Sequence, residues 1–270
     1  MQQISLQQLN DLNVPFIKIG SGDANNFPLL RKAAKLERAL IISTGMQTMQ
    51  TIETIIKIMN KENKSNYALL HCVSSYPTEA IDCQIQMISV LKKKFPQCVI
   101  GYSGHELGID ISKAAVLLGA RIIERHFTLD KKQKGSDHKC SLDPLEMKAL
   151  IIGIHKLMYK TVKEYLTKDE VISILQNSTS VIRALSTFES LDNYDRIIQY
   201  CEMNCRLKLG KSLVAKHYLT AGQLVSEGDI CIKVSEPHGI YAEFMDDVLG
   251  AKLSKDIKKD CPLTWDHIKK

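Results

Sequence analysis

Residues 98–104 read CVIGYSG, followed at once by His105, and residues 121–127 read RIIERHF. Each is a short apolar run that ends on polar side chains and a histidine. Near-continuous apolar runs of this length suit parallel strands buried on both faces. Three further runs precede them: residues 15–21 (PFIKIGS), 39–45 (ALIISTG) and 67–73 (YALLHCV). The segments between them carry helical spacing. Residues 26–36 follow a possible cap at Asn25-Asn26. Residues 48–59 place Met49, Ile52, Ile55, Ile56 and Met59 on one stripe, and residues 110–118 end at Gly119. Strand alternating with helix predicts βαβ units and a parallel sheet.

Polar residues gather at the predicted C-terminal strand ends: Ser21, Ser43, Tyr76, Ser103, His105 and His126. Parallel α/β folds place ligands at that edge. A doubly wound sheet would call for a glycine-rich phosphate loop after a strand. No G-x-G-x-x-G occurs at such a place, so an α/β fold of the TIM-type (β/α) barrel kind is predicted.

Beyond the last strand the pattern changes. Residues 145–199 read as helix, with a polar stretch near 177–180 and a linker around 186–194. A compact β-rich unit follows, with expected strands at 211–216, 228–234 and 248–257. Turns fall at Ala221-Gly222 and Pro237-His238-Gly239. The predicted division is a barrel over 1–155, a helical insertion and linker over 156–202, and a small domain over 203–270. There is no internal repeat and no low-complexity tract.

Composition narrows the function classes. The chain has 270 residues, 44% hydrophobic and 24% charged, with a net charge of +6. It has no run of 18 apolar residues, so no membrane span is expected. The polar start MQQISLQQLNDLN does not read as a secretory signal. Lysine runs such as Lys92-Lys93-Lys94 read as solvated faces, and no basic-aromatic motif suggests nucleic acid. The charge suits an anionic substrate. Eight cysteines without a signal peptide read as reduced thiols of a cytoplasmic protein. Cys201 and Cys205 have helical spacing, but two ligands fall short of a structural zinc site.

His105 and His126 leave neighbouring strands, which lie about 4.8 Å apart. They could share a divalent ion whose remaining ligands are water or substrate oxygens, or they could be hydrogen-bonded rim histidines. Lys18 sits inside an apolar strand and needs a polar cavity, an anion or a snorkelling path. Gly20-Ser21-Gly22-Asp23 and Ser43-Thr44-Gly45 offer small residues and backbone N–H groups that can surround an anion, though each is also an ordinary βα turn. Tyr76-Pro77 follows Ser74-Ser75 and could donate to an anion or pack against a turn. Asp137 and His138 lie in a loop, GSDH, where Asp137 could hold sugar hydroxyls or face solvent.

The ordered motifs KIGSGD, STGM, SSYP, GYSGH, ERHFTLD and GSDH resemble the sialic acid synthase family, of the animal N-acetylneuraminate-9-phosphate synthase type, over residues 5–155 and 200–270. The resemblance implies a TIM barrel followed by a small SAF (antifreeze-like) domain. It also implies a domain-swapped homodimer and condensation of phosphoenolpyruvate with N-acetylmannosamine or its 6-phosphate. His105 and His126 match the family's ligands for Mn2+ or Mg2+. Lys18, Ser21, Ser43, Ser74, Tyr76 and Ser103 match residues around phosphoenolpyruvate, and Asp137 matches a contact to the amino sugar. Catalytic roles fall to Lys18, Tyr76, His105 and His126.

Against the family pattern, the barrel is expected to be N-terminally incomplete, with five of eight strands. Residues near 156–185 are expected to be an insertion. Glu236 stands before Pro237 where bacterial members carry arginine. These departures keep two alternatives in view: a related phosphoenolpyruvate-dependent sugar synthase, and a catalytically inactive truncated form that binds or dimerises.

Overall fold

The structure is a computed structural model and describes residues 3–160, 166–186 and 195–269. Five parallel strands, β1 (Phe16–Ile19), β2 (Ala39–Ser43), β3 (Tyr67–Cys72), β4 (Val99–Gly104) and β5 (Ile123–Arg125), form one sheet in sequential order. Consecutive parallel neighbours joined by helices make a curved half-barrel. The five expected runs all carry strands, each shorter than its run at one end or both.

Helix α1 (Gln3–Asp11) leads into β1, and α2 (Phe27–Ala34) starts at Asn26, whose side chain accepts from Leu29 N–H. Thr48 caps α3 (Met49–Lys61) in the same way by accepting from Thr51 N–H. Helix α4 (Met87–Lys94) follows β3, and α5 (Asp110–Leu117) stops before Gly119, whose φ of +105° suits the left-handed turn there. The apolar stripe expected on α3 is buried: Ile52, Ile55 and Met59 are inaccessible to solvent. They pack in one cluster with Ile17, Ile19, Leu40, Ile42 and Leu69 from the outer face of the sheet.

Strand residues alternate. On β1 the two isoleucines face the helices and Lys18 faces the barrel interior. On β4 and β5, Ser103 and Glu124 face inward, while Tyr102 and Arg125 face outward. The outer face is pinned by a buried ion pair, Arg125 Nη1 to Glu106 Oε1 at 2.8 Å, with both side chains 1% exposed. Tyr102 and Ser112 also donate to the Glu106 carboxylate, and Arg125 donates to the carbonyls of Gly108 and Cys140. Removing one partner of such a pair typically costs about 3–5 kcal/mol, so β5 is firmly oriented.

Helix α6 (Pro144–Lys160) packs on α5, and α7 (Lys168–Ile174) and α8 (Thr179–Ala184) follow. The polar stretch read near 177–180 covers the end of the turn between α7 and α8, where Asn177 adopts φ +57°, and the first two residues of α8. Val171, Val181, Ala184 and Leu185 join the half-barrel's core cluster, so these helices are integral to it. Of the expected linker, residues 187–194 lie outside the described residues. No helix among the described residues is long and apolar enough to cross a membrane.

The small domain begins after α9 (Met203–Leu209). Its antiparallel pair β6 (Ser212–Ala215) and β7 (Ile230–Lys233) occupies two of the expected strands. The third expectation, 248–257, needs correction. Helix α10 (Met245–Val248) enters that segment, and the rest pairs only through isolated bridges, Leu224 with Lys252, Leu219 with Ile257 and Leu253 with Ile268. Leu213, Leu219, Val248, Leu253 and Leu263 still form a buried centre.

His71 on β3 is fully buried; its Nε2 donates to the Cys83 carbonyl at 2.8 Å. Burial first, then the Arg196 charge, pushes its imidazole down to about 4 from an ordinary 6.5. The unfolded chain therefore binds more protons between those values, and folding stability falls as pH drops through that window. His71→Gln, which keeps a donor, should lose about 2 kcal/mol less stability between pH 7 and 4.5 in urea titrations. Equal losses in the two proteins would contradict this.

Candidate functional site

The register of β4 with β5 pairs Ser103 with Glu124 and Gly104 with Arg125. One step further places His105 beside His126. Their ring centroids are 5.2 Å apart, with planes at 71°. His105 is buried and donates from Nδ1 to the Val73 carbonyl at 2.9 Å, which leaves Nε2 as its free lone pair. His126 is half-buried, with Nδ1 3.7 Å from Asp137 Oδ2. Desolvation is the main force lowering both imidazoles' pKa values, and the His105 charge adds to the effect on His126. Both are held neutral, the form that binds metals.

Two imidazoles bonded at about 2.0–2.1 Å to a common ion would have ring centres roughly 5 Å apart. The pair therefore fits one divalent cation, with oxygen ligands or water completing the shell. Among the described residues no group of three His, Cys, Asp or Glu has metal-binding spacing. Cys201 and Cys205 are free thiols. Tyr76 lies over the pair, 4.2 Å from the His105 ring and 5.7 Å from that of His126. Burial raises the pKa of its phenol, so it stays a protonated donor.

One pleat below the histidines lies a polar patch. Lys18 Nζ donates to Ser43 Oγ at 2.8 Å and sits 3.3 Å from Glu124 Oε2. Ser103 Oγ donates to Glu124 Oε1 at 2.8 Å. At the rim, Ser74 Oγ donates to Ser21 Oγ at 3.1 Å. Gly45 lies directly against them: a β-carbon there would stand 2.3 Å from Ser74 Oγ and 3.1 Å from Ser21 Cβ, so only glycine fits. Thus Lys18, Ser21, Ser43, Ser74, Tyr76, Ser103, His105 and His126 line the same interior and rim. Asp137 stands at the margin beside His126. His138 instead bonds to Thr128 Oγ1 at 2.8 Å. Beside Lys18 and Glu124 a cavity of about 560 Å³ extends along Ile41, Ile122 and the apolar side of α6.

Sequence reasoning missed Glu124, although it stands two residues before His126 and so shares its face. It also missed Arg196 and Glu202, a fully buried ion pair at 2.8 Å. Residues 195–203 read DRIIQYCEM, and nothing in that mixed stretch marks either charge as buried.

An open parallel α/β half-barrel, with two histidines and a lysine toward the C-terminal edge of its sheet and a small β domain appended, defines a TIM-barrel-type architecture with a second domain. The NeuB family profile matches residues 1–165, and the SAF domain profile matches residues 210–269. The chain belongs to the NeuB family. It is 53% identical to the N-acetylneuraminate-9-phosphate synthase of Drosophila melanogaster over 268 residues, covering 99% of this chain and 70% of that protein. It is 39% identical to the Homo sapiens protein of that name, covering 96% of this chain and 64% of the relative. Among solved structures, Bacillus subtilis spore coat polysaccharide biosynthesis protein SpsE superposes with a TM-score of 0.80 at 26% identity, over all of this chain and 72% of that one. The N-acetylneuraminic acid synthetase of Leptospira borgpetersenii, in complex with citrate, gives a TM-score of 0.57 at 33% identity, over 70% and 64%.

Glu124 neutralises Lys18 within the patch. Inorganic phosphate should therefore bind about tenfold more tightly to Glu124→Gln and lose measurable affinity in Lys18→Met, by calorimetric titration. Equal affinities across the three proteins would contradict an anion site at Lys18.

Proposed function

We propose that the chain carries the site of a phosphoenolpyruvate-condensing sialic acid synthase, acting on N-acetylmannosamine or its 6-phosphate in the cytoplasm. The observation that supports this most is the meeting of His105, His126 and Tyr76 above the Lys18–Ser43–Ser103–Glu124 patch. Similarity to the N-acetylneuraminate-9-phosphate synthases supports the substrate pair. The eight free thiols agree with a reducing compartment.

In this reading Lys18, Ser43 and the rim serines Ser21 and Ser74 hold the anionic donor, and Ser103 and Tyr76 orient it. His105 and His126 would hold Mn2+ or Mg2+; bound there, the ion supplies Lewis-acid polarisation of the sugar aldehyde oxygen. Asp137 receives sugar hydroxyls at the margin. The alkene carbon of phosphoenolpyruvate forms a bond to the aldehyde carbon, whose oxygen takes up a proton. Water adds at the former enol carbon, and the C–O bond to phosphate breaks. The fixed side chains contribute mainly by orientation, worth several kcal/mol when reacting atoms are held in attack geometry. In the family's domain-swapped homodimer, which belongs to the same proposal, the contacts between the small domain and the half-barrel are made across the two chains.

One observation favours a second reading, binding without turnover. Among the described residues the sheet is open at β1 and β5, and the side chains of Lys18 and Glu124 are 29% and 40% exposed. Water that reaches them weakens the electrostatics on which catalysis relies. A related synthase acting on another sugar phosphate is separated from the first reading by product mass.

Incubation with phosphoenolpyruvate, N-acetylmannosamine-6-phosphate and Mn2+ should yield N-acetylneuraminate-9-phosphate by mass spectrometry. His105→Ala should abolish product and weaken Mn2+ binding by more than about 100-fold, beyond the loss typical of a supporting residue. Mn2+ binding without product would favour the second reading. Unchanged Mn2+ affinity in His105→Ala would refute the metal site.

A further inference from the structure

Met46 follows Gly45 at the end of β2 and adopts φ +60° with its side chain buried. A residue with a β-carbon pays about 1–2 kcal/mol for that left-handed conformation. Both of its main-chain groups are held from outside the half-barrel. Met46 N–H donates to Glu202 Oε1 at 2.7 Å, and Arg206 Nη1 donates to the Met46 carbonyl at 2.8 Å. Glu202 and Arg206 are four residues apart on the helical segment that leads into the small domain, so they present to one side.

The same Glu202 Oε1 accepts from Ser74 N–H at 3.0 Å. Arg196 locks the carboxylate from behind and donates to the Cys72 carbonyl at the end of β3. Gln47, next to Met46, donates to the carbonyls of Ser21 and Gly45. The loops after β2 and β3 are therefore tied directly to residues 196–206, and the Ser21 loop is joined to them through Gln47. Arg206 continues the connection. Its guanidinium lies 4.2 Å over the Tyr241 ring, and its Nη2 is 3.3 Å from Glu243 Oε1, both in the small domain. Glu243 Oε2 accepts from Asn25 before α2 at 3.0 Å.

We infer that Glu202 and Arg206 are positioning residues for the anion cradle, and that Arg206 makes the cradle's shape depend on docking of the small domain through Tyr241 and Glu243. Glu202 sets the depth of Met46 and Ser74, and Arg206 holds the Met46 peptide in its strained turn. The close fit of Gly45 against Ser74 and Ser21 leaves no slack: relaxation of Met46 moves Gly45 into those hydroxyls or draws the rim apart. The inference rests on reading this pocket as the seat of the phosphorylated donor.

The full chain with Arg206→Ala, Arg206→Lys, Glu202→Gln or Glu243→Gln tests it, by amide hydrogen exchange and by titration with inorganic phosphate. A charged hydrogen bond is worth enough that Arg206→Ala should raise exchange in residues 43–47 and the phosphate dissociation constant by about tenfold or more. Exchange in β3 should stay as in the parent, and Arg206→Lys should recover part of both losses. Glu202→Gln should raise exchange at Met46 and Ser74. Glu243→Gln touches neither loop, yet should shift residues 43–47 and phosphate affinity in the same direction by a smaller factor. Where turnover is measured, KM for phosphoenolpyruvate should rise while KM for the sugar stays within about twofold.

Parent-like exchange at 43–47 and parent-like phosphate affinity in Arg206→Ala and Glu243→Gln overturn the inference. So does a loss of protection spread evenly over β3 and the loops. A parent chain that neither turns over nor binds phosphate defeats the donor reading, while the exchange data still decide whether the clamp exists.

Discussion

The site depends on the register between β4 and β5. Because side chains alternate with a period of two, a slip of one residue would turn Glu124 and His126 to the helix side and bring Arg125 into the interior. The outward ion pair of Arg125 with Glu106, buried and saturated by Tyr102 and Ser112, opposes that slip. It leaves the guanidinium no better partner inside. An interaction on the far face of the sheet thus decides that two imidazoles converge on the near face.

The interior is graded along the strands. Ile41 and Ile122 line its lower, apolar end, and the polar patch of Lys18, Ser43, Ser103 and Glu124 follows. The histidines and Tyr76 stand at the rim. The proposed function would set the donor's charge at Lys18 and its reacting end beneath the histidines. The chain spans 64–70% of the length of its synthase relatives, and among the described residues the sheet's outer strands β1 and β5 pair on one side each.

Much of the half-barrel was legible because its signals are local. Asn26 and Thr48 cap the helices they precede in the sequence, and the Ile52–Ile55–Met59 stripe finds the sheet it was shaped for. The histidine pair was legible because both residues terminate apolar runs. Glu124 was overlooked because a carboxylate within RIIERHF has no visible partner until Lys18, more than a hundred residues earlier, is brought across the sheet. Arg196 and Glu202 show no sign of burial in the sequence, because the groups they meet, Met46, Ser74 and Cys72, come from distant loops. In the small domain the apolar pattern of 248–257 suggested a strand. Isolated bridges and turns satisfy its backbone instead, and burial of Val248, Leu253 and Ile257 alone accounts for the pattern.

The central claim is that His105 and His126 offer their free nitrogens to one cation. Pulsed electron paramagnetic resonance of the Mn2+-loaded chain reports directly on nitrogen ligands. The account predicts hyperfine coupling from two imidazole nitrogens, falling to one in either single alanine variant. A spectrum of Mn2+ ligated only by oxygen, or one unaltered by either substitution, would contradict it.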